Sequence, residues 1–297
     1  MAKQAKSLWY RIKSERSAYF FILPSLLMFF LLVLVPLILT IIYSFQDRSL
    51  VLKGWVGFQN YINLFKDPYF HRALKNTLTF VVILVPIVVI VTFLVALQVS
   101  PLKKQFRVYF RAAFYLPVVT SGVVNSMVWL WLLNSDFGLL NYIVTALGME
   151  PVMWLASSNT LYYLIFVVFT FNFGTPFIIY VAAMGNIPTV LLEVAQIDGA
   201  KKRTITWKIV FPLLKPVTFF LFVTQTIFVF MVFVVIQLLT DGGPARTTET
   251  IIFMIYKTAF RFLEFGRASA MGVILLFIIL IISILQKILV GRENTTY

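Results

Sequence analysis

The stretch LTFVVILVPIVVIVTFLVALQV, residues 78–99, carries no charged side chain over 22 consecutive positions. As an α-helix rising 1.5 Å per residue it would be about 33 Å long, close to the roughly 30 Å hydrocarbon core of a bilayer. A barrel strand takes about 10 residues and alternates polar with apolar; this run is longer and does not alternate. It reads as a membrane-spanning helix. Five more charge-free runs of similar length occupy residues 19–45, 112–133, 161–184, 217–239 and 268–286. The expectation is an all-α membrane protein of six transmembrane helices. Composition agrees: 61% of the 297 residues are hydrophobic and 12% are charged, against about 25% charged in soluble domains.

Charge sets the expected orientation. If the N-terminus is cytoplasmic, the segments 1–18, 100–111, 185–216 and 287–297 lie inside and hold sixteen Lys and Arg; the outer segments 46–77, 134–160 and 240–267 hold nine. Lys and Arg accumulate on the cytoplasmic side, so both termini are expected inside. The division is a cytoplasmic N-terminal segment at 1–18, a six-helix domain at 19–290 with a large cytoplasmic loop at 185–216, and a cytoplasmic tail at 291–297. The first apolar run is longer than a signal-peptide core and has no small-residue cleavage site, so it reads as a retained span.

Several chemistries are excluded. The net charge of +14 reads as this membrane bias and not as nucleic-acid binding. Cysteine is absent and His71 is the one histidine, too few soft or imidazole ligands for a metal site. No GxxxxGK[ST] phosphate loop, GxSxG or HExxH occurs, so neither catalytic residues nor ATP binding are expected in the chain. No span contains an ionisable residue, whereas proton- and ion-coupled carriers place such groups inside the membrane. Pro24, Pro36, Pro86, Pro117 and Pro176 fall inside spans. Each is either ordinary membrane-helix packing or a break lining a pathway.

The loop GNIPTVLLEVAQIDGAKKRTITWKIVFPLLKPV, residues 185–217, is polar yet patterned. Asn186 and Pro188 suit a helix start. Val190, Leu191, Val194 and Ile197 share one helical face, and Gly199 suits a left-handed stop. Lys201, Lys202 and Arg203 begin a second, basic helix. Such a unit either lies on the membrane surface or docks into a groove of a partner.

The segment Glu193-Val-Ala-Gln-Ile-Asp-Gly-Ala200, with Pro212 downstream, resembles the EAA loop of ABC importer permeases. Its IDGA ending, followed by Phe-Pro-Leu-Leu-Lys-Pro at 211–216, is similar to the carbohydrate-importer branch typified by maltose permeases. Weaker similarities follow in order: Gly57–Tyr61, Leu64–Pro68 and Asn76-Thr77; Arg111 with Leu116-Pro117; Trp129 with Gly138 and Asn141; Thr240–Pro244; and Gly266 with Ala268 and Ala270. The resemblance covers roughly residues 20–290. It implies a type I importer fold, and a coupling helix set in a cleft of an ATPase subunit. Glu193 would face the ATPase, Ala195 and Gly199 would allow close approach, and Asp198 would help hold the turn before Ala200. Val194 departs from the usual Ala but suits the apolar face.

The resemblance further implies a bacterial or archaeal inner membrane, a second homologous permease, two ATPase subunits holding ATP and Mg, and an extracytoplasmic substrate-binding protein. The implied cargo is a sugar or oligosaccharide. Pathway candidates in the fourth span are Thr170, Asn172, Phe173, Gly174 and Phe177, where Gly174 and Pro176 weaken the helix; small-residue packing is the competing reading. Ser121 and Asn125 are candidates in the third span. In the fifth, maltose-type permeases place polar residues shortly before the Gly-Gly-Pro motif, but here Val229-Phe-Met-Val232 offers none. Gln225, Phe230 and Met231 are the candidates, and the paired permease is expected to supply more contacts. The rival readings are an ABC importer for a non-sugar solute such as a polyol phosphate, and a secondary carrier working alone.

Overall fold

The computed structural model describes residues 16–49 and 53–290. The expectations for the tail at 291–297 and for residues 1–15 lie outside the described residues. The chain is helical nearly throughout. It begins with α1 (Arg16–Phe29), a π-helical turn at Phe30–Leu34 and α2 (Val35–Ser44). Pro36 cannot donate to the carbonyl of Leu32, and the π turn falls at that point. A short antiparallel hairpin follows, β1 (Gln46–Arg48) with β2 (Lys53–Trp55), pairing Asp47 with Gly54. Then come α3 (Gln59–Lys66), α4 (Pro68–Val99), α5 (Lys104–Val119), α6 (Gly122–Leu132) and α7 (Leu139–Ala146). The rest comprises α8 (Thr160–Asn172), α9 (Gly174–Gly185), α10 (Thr189–Ile197), α11 (Lys202–Ile205), α12 (Phe211–Phe230), α13 (Val234–Leu239), α14 (Ile251–Tyr256) and α15 (Phe265–Val290).

Four stretches are long and apolar enough to cross a membrane: Tyr19–Ser44, Pro68–Val99, Lys202–Leu239 and Phe265–Ile288. Two further apolar runs are bent pairs, α5 with α6 at 95° and α8 with α9 at 45°; counted as one span each, they bring the number to six. The span expected over 112–133 is therefore bent into a corner, close to Pro117. Thr120 and Ser121 are both extended there, and the Ser121 hydroxyl caps α6 by accepting from the Val123 N–H at 3.3 Å.

The core has two layers stacked along the bundle. One contains Phe70, Phe80, Leu84, Leu164, Phe230, Ile236, Phe253 and Met271, towards the hairpin end. The other contains Val89, Phe93, Phe173, Phe177, Tyr180, Leu214 and Leu221, towards the opposite end. Helix α12 reaches both through Leu214, Leu221 and Val229, and α4 contributes a long unbroken row to both. Its buried positions run from Phe70 through Ala73, Thr77, Phe80, Leu84, Val88, Thr92 and Ala96 to Val99, the three-and-four spacing of one helical face. By contrast the first span is exposed along its length; Phe20 is 74% and Phe21 82% accessible. Its second half packs on the last span, where Gly272 faces Thr40.

One contact decides how α9 sits. A Cβ at Gly174 would lie 2.3 Å from the Phe114 carbonyl oxygen of α5, so the two backbones touch through the missing side chain. Gly174→Ala is expected to lower stability by about 1–3 kcal/mol through overpacking, read as a fall in thermal midpoint of the detergent-solubilised protein. Gly185→Ala, where a Cβ meets nothing within 4 Å, should stay within roughly 0.5 kcal/mol. Equal shifts for the two would refute the close-packing account.

Candidate functional site

A cavity of about 560 Å³ lies where the two core layers meet, within the usual range of about 300–1,000 Å³ for small-ligand sites. Three interrupted helices surround it. The α5–α6 corner supplies Pro117, Val118, Thr120, Gly122 and Asn125; the α8–α9 break supplies Phe171, Asn172, Thr175 and Ile179. The third wall comes from α12 and the irregular turn after it, with Phe220, Thr224, Gln225, Phe228, Met231 and Phe233.

Each break has a local cause. At the first, the Asn125 amide donates to the Pro117 carbonyl at 2.9 Å. The Thr120 hydroxyl lies 2.8 Å from that carbonyl and 2.7 Å from Asn125 Oδ1, its one proton serving either. At the second, Pro176 has no N–H for the Asn172 carbonyl, and the helix bends between them. The third, at Met231–Phe233, contains neither Gly nor Pro. There Phe233 turns out to meet Tyr256 at 4.9 Å and Phe253 at 6.0 Å between ring centres.

Across the cavity wall Asn172 Nδ2 donates to Gln225 Oε1 at 2.5 Å, with both side chains buried. This bond ties the end of α8 to α12. Interhelical polar bonds in membrane proteins contribute about 0.6–2 kcal/mol, yet leaving one partner buried and unpaired costs about 1–3 kcal/mol.

Of the sequence candidates, Asn125, Asn172, Gln225 and Met231 line this cavity, and Ser121 sits in its corner as a helix cap. The others are placed elsewhere. Phe173 and Phe177 stack on each other at 5.9 Å and against Phe114 at 4.9 and 5.0 Å, inside the core. Phe230 is fully buried, the Thr170 hydroxyl bonds back to the Val167 carbonyl at 2.7 Å, and Gly174 is the helix contact described above. Phe173, Phe177, Phe230 and Gly174 fall on helix faces that pack against neighbouring helices, while Asn125, Asn172 and Gln225 fall on faces that border the gap the breaks leave. Thr120 and Thr175 also line the cavity and are not among the sequence candidates; a polar residue beside a helix-breaking position is the signal that marks them.

The loop 185–216 folds as its pattern suggests. Pro188 immediately precedes α10, Gly199 adopts φ +75° and α11 follows. Leu192, Ala195 and Ala200 pack on the second core layer, while Val190, Leu191, Val194 and Ile197 face outward at 63, 45, 50 and 84% accessibility. Glu193 is exposed beside them. Gly199 is needed for its left-handed backbone: a Cβ there would meet nothing within 4 Å. The turn is held by main-chain bonds, Gly199 N–H to the Gln196 carbonyl at 3.0 Å and Ala200 N–H to the Ala195 carbonyl at 2.9 Å. Asp198 contributes its own backbone N–H, to the Val194 carbonyl at 3.0 Å.

At the hairpin end the separate polar motifs join. Asn76 donates to the carbonyls of Arg246 and Glu249 at 3.1 and 3.0 Å, and the Thr77 hydroxyl accepts from the Ile251 N–H at 2.9 Å. Glu249, 2% accessible, pairs with Lys257 at 3.2 Å and Arg246 at 3.3 Å. Asn141 uses its whole amide, donating to the Ser135 and Val152 carbonyls and accepting from Val152 N–H and Trp154 Nε1. Asp67 pairs with Arg267 of the last span. Arg261 grips Asp241 through two bonds of 2.8 and 2.6 Å and holds its carboxyl below the ordinary range. A depressed carboxylate stabilises the fold above its unfolded value, and that contribution is lost as pH falls through the folded one.

The Asn172–Gln225 tie can be measured. Asn172→Leu alone should destabilise by about 1–3 kcal/mol, since it strands the Gln225 amide. Asn172→Leu with Gln225→Leu should recover part of that loss. A double-mutant cycle by thermal unfolding with no coupling between the two sites would rule the bond out as a structural tie.

Residues 68–294 match the family model described as "Binding-protein-dependent transport system inner membrane component". The sn-glycerol-3-phosphate transport system permease protein UgpA of Agrobacterium fabrum is 31% identical over 282 residues, covering 89% of this chain and 95% of that protein. The arabinooligosaccharides transport system permease protein AraP of Halalkalibacterium halodurans is 33% identical over 276 residues, covering 92% and 87%. Among solved structures, a bacterial alginate ABC transporter in complex with alginate pentasaccharide-bound periplasmic protein contains a chain of 25% identity. It superposes with a TM-score of 0.86 over 97% of this chain and 98% of that one. The apolar spans, the broken helices around a central cavity and these matches agree: the chain belongs to the binding-protein-dependent transport system inner membrane components, and is a multi-pass ABC transporter permease.

Proposed function

We propose that this chain is one permease of an ATP-driven importer for a sugar or oligosaccharide, forming half of the translocation pathway. The observation that carries this reading is the meeting of three interrupted spans around one cavity of amides, hydroxyls and aromatic faces. Discontinuous helices near the midplane are where transporters hold their cargo. Hydroxyl-rich rings suit amide donors and acceptors along their edges and aromatic surfaces across their faces.

In this reading the chain has six spans with both termini cytoplasmic, and the domain at 19–290 pairs with a second, homologous permease. A binding protein delivers cargo at the end that carries the hairpin and the Asn76–Glu249 network. Two ATPase subunits, which hold ATP and Mg, act at the other end. Lipid and the second permease cover the first span. The loop helix α10 is the coupling element. Its outward apolar face, Val190, Leu191, Val194 and Ile197, is left exposed by the described residues, and a helix seated in a groove supplies a cover. Glu193 borders that face, and Ala195, Asp198, Gly199 and Ala200 hold its geometry. Ser121, Asn125, Asn172, Gln225 and Met231 are the pathway residues of this subunit.

Two measurements test the reading. Reconstituted with its partners and binding protein, the transporter should hydrolyse ATP faster when given saccharides. Stimulation by non-sugars only, or transport by the isolated chain without ATP, would overturn it. Glu193→Lys should lower uptake about tenfold by reversing one charge at the interface, while the protein still inserts and folds. Unchanged uptake would remove Glu193 from the coupling role.

A further inference from the structure

The chemistry of the cavity separates kinds of cargo that the relatives do not. Among the described residues its lining holds no Lys, Arg, His, Asp or Glu. Its polar side chains are two amides from separate broken helices, Asn125 and Asn172, a third from Gln225, and the hydroxyls of Thr120, Thr175 and Thr224. The nearest cations along α5, Arg107 and Arg111, precede Pro117 by more than a turn and lie outside the wall. An anion taken from water into such a space keeps its charge without a partner, and that penalty is large in a membrane interior.

Helix ends do not change the balance. The N-terminus of α6 opens at Gly122 in the wall, but the Val123 N–H is already taken by the Ser121 hydroxyl. The positive end of a helix dipole amounts to about half a charge, less than a phosphate or uronate carries. The same groups suit hydroxyls well. An amide both donates and accepts, as a hydroxyl does, so Asn172 and Gln225 can exchange their mutual bond for bonds to a ligand with the count of bonds preserved. Met231 and the exposed rings of Phe220 and Phe228 cover apolar ring faces.

We infer that this permease passes uncharged, multiply hydroxylated solutes and rejects phosphorylated polyols and uronate-containing saccharides at the cavity itself. The inference rests on the sugar-importer reading and narrows it.

The test uses the assembled transporter in nanodiscs without its binding protein, so that the membrane pathway and not the binding protein selects, and the substitutions in this chain report its own share. Ligand contact is read by saturation-transfer NMR for neutral di- and trisaccharides, an alginate disaccharide and sn-glycerol 3-phosphate. At least one neutral saccharide should bind and neither anion should. Asn172→Leu with Gln225→Leu should weaken the neutral ligand about tenfold, the worth of one lost hydrogen bond. Gln225→Lys, which adds a cation to the wall, should admit an anionic ligand that the parent rejects; thermal unfolding checks that each variant folds. Binding of either anion as tight as the neutral saccharides overturns the inference and leaves the sugar reading standing. If no saccharide, neutral or acidic, binds or stimulates ATP hydrolysis with the binding protein present, the sugar reading itself fails and this inference with it.

Discussion

Hydrocarbon offers no partner to a stray N–H or C=O, and an unpaired one costs several kcal/mol there. A helix inside a membrane can therefore break only where something else takes up the freed groups. In this chain three breaks border one cavity, and the substitutes at the best-defined one are polar side chains. Thr120 and Asn125 serve the Pro117 carbonyl, and Ser121 caps the helix that restarts. The cavity follows from this constraint. Corners keep the helices from closing on one another, and the side chains that satisfy the corners are left as its wall.

Much of the architecture was legible because the rule that governs it is one-dimensional. A charge-free run of the right length has to be buried in lipid, and six such runs announce themselves. The bend at Asn172 was legible too, through Gly174 and Pro176. The break after Phe230 was not. Nothing in Val-Phe-Met-Val marks it, and it exists because Phe233 packs against Tyr256 and Phe253 from a helix far along the chain. Long-range contacts of that sort leave no local trace.

The site candidates divide along the same line. Asn125, Asn172 and Gln225 were recognisable because an amide in an apolar run needs a reason to be there. Phe173, Phe177 and Phe230 were not separable from pathway residues by type, since an aromatic ring suits a sugar face and a core equally. The fold settles their position by rotating them inward, against Phe114 in the case of the first two. In the loop, periodicity located an apolar face at Val190, Leu191, Val194 and Ile197 but left open whether the membrane surface or a partner's groove covers it; the face turns away from the chain's own core. It turns out because Leu192, Ala195 and Ala200 already occupy the contact with the core.

These features bear on how the molecule could change shape. The two core layers are joined by continuous buried rows along α4 and α12, and elsewhere by helices that break at the junction between them. Close-packed layers resist internal rearrangement, so movement is easiest where packing is already interrupted. That place is the cavity. The Asn172–Gln225 bond lies in its wall, at a strength comparable to the bonds a hydroxylated ligand would form in its stead. A tie of that size holds the empty cavity together without fixing it against cargo. A salt bridge in the same position would have been harder to open, because each separated charge would need a new partner in a medium that provides none.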